Sequence, residues 1–215
     1  CKYCNKENRP FAKYCRWCGE ELVERPDPFT NVIGMGEVKA QLQAIVDTYS
    51  FVRSRSETRD IRLGANMIIT GESGTGKTML ATIICDYFHQ NKIISANRVS
   101  IVDAVDYERF VENWDENIRR SRGGLLFFDN AQKLLPNTDS HNVNPLDKLF
   151  VEMSQWNEDP IVIIAGLPQG LEDFFEKNPS VCNRFKYRIK LSSYDFDEMS
   201  SICRMMLKTQ YGLDN

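Results

Sequence analysis

The chain has 215 residues, 42% apolar and 27% charged, with a net charge of −3. That composition suits a soluble globular protein with one sizeable core and room for a small module. It excludes a strong overall bias toward nucleic acid or membrane surfaces, and no apolar run nears the roughly 20 residues that a bilayer span needs.

No signal peptide is visible, and a start on Cys1 rather than Met leads us to expect further residues upstream. Four of the seven cysteines fall within the first 18 residues. The other three, Cys85, Cys182 and Cys203, read as buried small hydrophobes. An odd count without a signal peptide fits a reducing compartment, so the expected location is the cytoplasm.

Residues 1–22 form the first predicted unit. Cys1, Cys4, Cys15 and Cys18 make C-x2-C-x10-C-x2-C. Each C-x-x-C knuckle turns two thiolates toward one point, and two knuckles supply the four ligands of a tetrahedral Zn²⁺. A segment of about 20 residues builds no core of its own, so the metal would provide its folding energy. A pair of redox disulfides is the weaker alternative. The stretch resembles the short zinc-ribbon modules of bacterial proteins, with Tyr14 and Cys15–Gly19 matching the second knuckle and Asn5 standing where the first usually has glycine. Lys2, Lys6, Arg9, Lys13 and Arg16 face Glu7 alone. Four thiolates with Zn²⁺ leave the module only about +2, so a solvated surface or docking of a protein partner is favoured over nucleic acid, which stays open. Residues 23–29 are the expected linker, stiffened by Pro26 and Pro28.

Met67–Thr70 is a short apolar run, a predicted buried strand. GESGTGKT follows over 71–78, and MLATIICDYF after it has helical spacing. Strand, G-x-x-x-x-G-K-T and helix in that order define a P-loop. Gly71, Gly74 and Gly76 let the backbone wrap phosphates. The N–H groups of Glu72, Ser73, Thr75 and the helix start through Met79 favour anionic oxygens. Lys77 would reach the β- and γ-phosphates of ATP, and the Thr78 hydroxyl would ligate Mg²⁺.

Further along, Val99–Val102 is a strand candidate. LLFFDN at 125–130 is a buried strand over 125–128 ending in Asp129. Ligands of such sheets bind at the strands' carboxyl ends, so this acid and the P-loop converge on one site, where the acid suits the Mg²⁺ shell. A helix is predicted from Asn144–Pro145 with Leu146, Leu149, Phe150 and Met153 on one face. Strands are predicted over 161–165 and 187–191, and an amphipathic helix over 192–212 carries Met199, Ile202, Met205 and Met206 on one face and stops at Gly212. The fold class is therefore α/β, a parallel five-stranded sheet flanked by helices, with the nucleotide-binding domain over 30–192. His89 and His141, the two histidines, lie in no nucleophile setting.

These stretches resemble the CbxX/CfqX group of AAA+ ATPases, which includes Rubisco activases of red-type systems, a sporulation protein and ESX-secretion ATPases. The resemblance covers roughly residues 29–213. It rests on FTNVIGMGEVKAQL, GESGTGKT, GGLLFFDNAQKL and IVIIAGLPQGLEDFFEKNPSVCNRF. It implies that Ile33 and Gly34 lie near the adenine, that the protein forms a ring, often a hexamer, and that Arg184 is an arginine finger for the neighbouring subunit's site. Arg188 is a nearby competitor. It also implies a helical lid, of which 193–215 is only the start, so a piece of a longer chain is expected.

Several positions depart from the family pattern. Asn130 stands in place of the glutamate that polarises the attacking water, and an amide accepts no proton, which removes roughly 10²–10⁴ in rate. The expectation is an ATP/Mg²⁺-binding module with weakened or absent hydrolysis; an active remodelling ATPase with a substitute base, and a nucleic-acid-binding switch, are the alternatives. Glu72 is one carboxylate near the phosphates, read as pointing to solvent. No polar sensor is evident after strand 161–165, where Leu167 and Gln169 stand. Phe110 and Trp114, spaced i and i+4, read as helix packing rather than pore aromatics.

Overall fold

The computed structural model describes residues 4, 6–9, 12–19, 26–55, 64–134, 145–155 and 159–211. Cys1, Asn144, His141 and Gly212, together with residues 20–25 of the module and linker, lie outside the described residues. Five strands form one sheet in the order β2-β3-β4-β1-β5. They are β1 Met67–Thr70, β2 Val99–Asp103, β3 Leu125–Asp129, β4 Ile161–Gly166 and β5 Tyr187–Lys190. Every pairing is parallel. The helices are α1 Gly36–Arg55, α2 Lys77–Gln90, α3 Tyr107–Glu112, α4 Trp114–Ser121, α5 Pro145–Gln155, α6 Pro168–Lys177, α7 Pro179–Cys182 and α8 Phe196–Tyr211. The five predicted strands are all present, shifted by at most a residue at one end.

A strand sends successive side chains to opposite faces, so a sheet covered on both faces needs continuous apolar runs. Leu125 and Phe127 enter the core shared with α1 and α2, while Leu126 and Phe128 enter the core shared with α3–α7. β4 divides in the same way, Ile161, Ile163 and Ala165 against Val162 and Ile164. Each large side chain buried here contributes about 1.5–3 kcal/mol. The predicted apolar face of α5 is correct: Leu146, Leu149, Phe150 and Met153 are all buried.

The turn into β3 has little room. Gly123 has φ +78°, and a Cβ on Gly124 would lie 2.4 Å from the Arg98 carbonyl oxygen of the neighbouring chain segment. The Gly123 N–H donates to the buried Asp159 carboxylate at 2.7 Å.

Segment 26–32 is fastened to the helices. Phe29 is buried in the core and meets the Tyr87 ring edge-on at 5.5 Å. Asp27 pairs with Lys39 of α1, and the Gln90 amide at the end of α2 donates to the Pro26 carbonyl at 3.2 Å.

Two sequence expectations need correction. Of the three cysteines read as buried, only Cys85 is buried; Cys182 is half-buried and Cys203 is exposed on α8. The last helix begins at Phe196 rather than 192, because Asp195 and Glu198 form a reciprocal cap. The Asp195 N–H donates to Glu198 Oε2 at 3.0 Å and the Glu198 N–H to Asp195 Oδ1 at 2.8 Å. Phe110 and Trp114 are buried and stack edge-on at 5.6 Å, on α3 and α4 to either side of a break at Asn113. Packing is therefore their role. Among the described residues no helix is long and apolar enough to cross a membrane.

Candidate nucleotide site

The loop between β1 and α2 turns on two left-handed glycines, Gly74 at φ +80° and Gly76 at φ +89°, and Gly76 caps the N-terminus of α2. A side chain is strained at both. Thr75 is buried, and its hydroxyl donates to the Glu72 carbonyl at 2.9 Å, bracing the loop from within. The Lys77 ammonium donates to the carbonyls of Gly71 and Glu72 at 2.9 and 2.8 Å. It is thus folded back over the carbonyls of its own loop. Glu72 and Ser73 are exposed, as is Met79.

β3 brings Asp129 to the start of α2. The Thr78 hydroxyl donates to Asp129 Oδ2 at 2.8 Å. A hydroxyl and a carboxylate at that separation are the hard oxygen donors a Mg²⁺ shell uses. Asn130 follows in the left-handed conformation, φ +53°. Its N–H donates to Asp129 Oδ1 at 2.9 Å, and its side-chain Nδ2 donates to Asp103 Oδ1 at 3.4 Å.

Beside the P-loop lies a cleft of about 460 Å³, lined by Gly34, Met35, Thr75, Leu191, Tyr194 and Glu198. Gly34 has φ +75° and packs against Glu198 and Tyr194. Ile33 is half-buried next to it. The Tyr194 hydroxyl donates to the Thr75 carbonyl at 3.3 Å, so the residues leading into α8 touch the P-loop. Burial raises the Tyr194 phenol pKa, and Glu198 adds to the rise.

Arg184 lies exposed between α7 and β5, and among the described residues its guanidinium has no partner. Its backbone is anchored: the buried Asn66 donates from Nδ2 to the Arg184 carbonyl at 3.4 Å, and Asn66 Oδ1 accepts the Val162 N–H at 2.8 Å. Arg188 is engaged instead, with Nη2 at 3.0 Å from Cys182 Sγ and its guanidinium 5.5 Å from the Phe175 ring centre.

Three residues that the sequence did not single out also belong here. Asp103 ends β2 opposite Asp129. Tyr194 bonds the P-loop. Gln132 packs its amide against Gly166 at the end of β4 and its stem against Gly170 of α6, with Oε1 buried and without a hydrogen-bond partner among the described residues. Leu167 is exposed, and Gln169 is tied to Asp173 of its own helix at 3.1 Å, so Gln132 is the polar side chain packed against the carboxyl end of β4. Only Asp103 had a sequence signal, an acid one residue beyond a predicted strand, where ligands of such sheets bind.

In the N-terminal module, the sulfurs of Cys4, Cys15 and Cys18 lie within 4.8 Å of one another. A tetrahedral zinc with Zn–S of about 2.3 Å sets its sulfurs about 3.8 Å apart, so this spacing fits. Cys15 Sγ accepts from the Trp17 N–H and from Asn8 Nδ2, both at 3.4 Å. Burial opposes its ionisation, but the N–H groups of Trp17 and Cys18 with the Asn8 amide outweigh it and draw the thiol down to about 6.

The family model of ATPases associated with various cellular activities (AAA) matches residues 67–192. The chain belongs to the AAA family of ATPases. That family implies nucleotide binding, with ATP as the ligand. The AAA chain is 29% identical over 197 residues to the ESX-1 secretion system protein EccA1 of Mycolicibacterium smegmatis, covering 86% of this chain and 34% of that one. It is 28% identical over 206 residues to the chromosomal protein CbxX of Cupriavidus necator, covering 91% and 64%. With stage V sporulation protein K of Bacillus subtilis it shares 24% over 195 residues, 86% and 60%. The chain thus spans about a third to just under two thirds of these relatives. Among solved structures, the FIGL-1 AAA domain in complex with ADP aligns at TM-score 0.60 and 19% identity, covering 87% of this chain and 63% of that one. The Thermotoga maritima RuvB Holliday junction branch migration motor aligns at 0.56 and 19%, covering 86% and 54%. These two likenesses speak to the fold.

Proposed function

We propose that this AAA domain holds ATP with Mg²⁺ and hydrolyses it slowly or not at all, so that bound nucleotide keeps copies of the chain assembled in a ring. The observation that carries this is the pair at the end of β3. Asp129 keeps its hydrogen bond to Thr78, while the next residue, Asn130, brings an amide where a proton-accepting carboxylate is expected. Binding and chemistry are separable at such a site.

The P-loop N–H groups and Lys77 bind the triphosphate, Thr78 and Asp129 hold the Mg²⁺ that offsets its charge, and the cleft beside Ile33 and Gly34 takes the base. In this reading Arg184, with no partner of its own among the described residues, serves a neighbouring copy's phosphates, since Arg188 is already engaged. Cys1, Cys4, Cys15 and Cys18 hold Zn²⁺, and that module docks a protein partner.

The test is steady-state turnover and oligomeric state of the chain with ATP and Mg²⁺, beside Lys77→Ala and Asn130→Glu. Assembly and thermal stabilisation by ATP that Lys77→Ala abolishes, with turnover raised by Asn130→Glu, are the expected results. If ATP changes neither stability nor oligomeric state, the reading fails.

A further inference from the structure

Asn130 does not stand alone. In the parallel pairing of β2 and β3, Asp103 lies opposite Asp129. The left-handed turn at Asn130 lays its side chain back across the ends of these two strands, and its Nδ2 meets Asp103 Oδ1 at 3.4 Å. The Val105 N–H donates to the same Oδ1 at 3.0 Å, which fixes the carboxylate. A carboxylate only accepts, whereas an amide has one donating and one accepting end. Asp103 therefore dictates which way Asn130 faces: the NH₂ toward β2, and Oδ1 away from it. Among the described residues Asn130 Oδ1 accepts no hydrogen bond.

Resting on the ATP site read above, we propose that Asp103 is a positioning residue for slow hydrolysis, holding the Asn130 amide so that Oδ1 accepts a hydrogen bond from the attacking water. Asparagine thus does here what a water-orienting glutamine does in GTPases. The water oxygen bonds to the γ-phosphorus as the bond to the β,γ-bridging oxygen breaks, and ADP leaves with that electron pair. The water proton passes to a γ-phosphate oxygen and leaves with inorganic phosphate, because the amide takes none. A loose transition state needs the water aligned more than deprotonated, so turnover is slow but not zero.

Single-turnover release of phosphate from γ-labelled ATP, with the chain in excess and Mg²⁺ present, tests this together with the Kd for ATP. Asp103→Asn lets the facing group donate as well as accept, so the Asn130 amide loses its fixed orientation. Turnover is expected to fall about ten- to a hundredfold, with the Kd within about twofold, a split that a merely structural role would not produce. The exchanged pair, Asp103→Asn with Asn130→Asp, is isosteric and puts the carboxylate beside the water with an amide donor behind it. It should turn over faster than the parent. Unchanged turnover in Asp103→Asn, or an exchanged pair no faster than Asp103→Asn alone, overturns the inference. A parent chain that binds ATP tightly and releases no phosphate also overturns it, yet leaves the ATP-holding reading intact. A parent that does not bind ATP sinks that reading itself.

Discussion

Asn66 joins the sheet to the segment that carries Arg184, and removing its amide should weaken both. The side chain is 1% exposed. It precedes β1, and its Oδ1 accepts the Val162 N–H at 2.8 Å, one residue ahead of the first β1–β4 pair, Met67 with Ile163. In Asn66→Ala that buried donor loses this partner, which costs about 1–3 kcal/mol. The longer bond to the Arg184 carbonyl adds about 0.5–1 kcal/mol. The combined loss of about 1.5–4 kcal/mol should lower the Tm by roughly 3–16 °C in a domain of this size. Asn66→Asp keeps the acceptor for Val162 but faces the Arg184 carbonyl with a second oxygen, so it too should be destabilised. Thermal and urea unfolding of the two variants beside the parent would measure this. A Tm for Asn66→Ala within about 1 °C of the parent, at unchanged m-value, would refute the assignment of these bonds as structural.

Three further outcomes are expected. Gly124→Ala should fail to give soluble folded protein, because its Cβ meets backbone rather than a movable side chain, the Arg98 carbonyl oxygen at 2.4 Å; yield and circular dichroism report this. The native chain purified without chelator should carry one zinc by elemental mass spectrometry, and Cys15→Ser should lose it; equal zinc in both would remove the module from the metal reading. Lys39 hydrogen-bonded to Asp27 holds that carboxyl below its ordinary 3.8, so the pair stabilises the fold above that pH and the contribution fades as pH falls through the lowered folded value. The pair is half exposed and its share small; Asp27→Asn should flatten only the acid limb of a stability–pH curve.

The strands were legible because a sheet covered on both faces demands unbroken apolar runs, as LLFF and IVII supply. The P-loop was legible because close wrapping of phosphate demands glycine at fixed spacings. The start of α8 was in principle readable, since Asp195-x-x-Glu198 is a capping box, but the preceding Ser-Ser-Tyr continued the polar pattern and hid it. The surroundings of Asn130 were not legible. Asp103 reaches it through strand register, and register between β2 and β3 is set by packing of both faces rather than by local spacing. Gln132 and Tyr194 are likewise invisible in one dimension, because each gains its meaning from a backbone it touches after folding. Cys203 misled because a cysteine among apolar residues reads as core, and α8 leaves it exposed.

Helix α2 ends in two quite different attachments. Its first residues are Lys77 and Thr78; near its last, Tyr87 and Gln90 grip Phe29 and Pro26. Fourteen residues make a rigid rod about 21 Å long. A pull on the chain just before Pro26 is therefore not absorbed by slack at that point. It is delivered to the foot of the rod, whose head carries Lys77 and Thr78 of the glycine-rich loop.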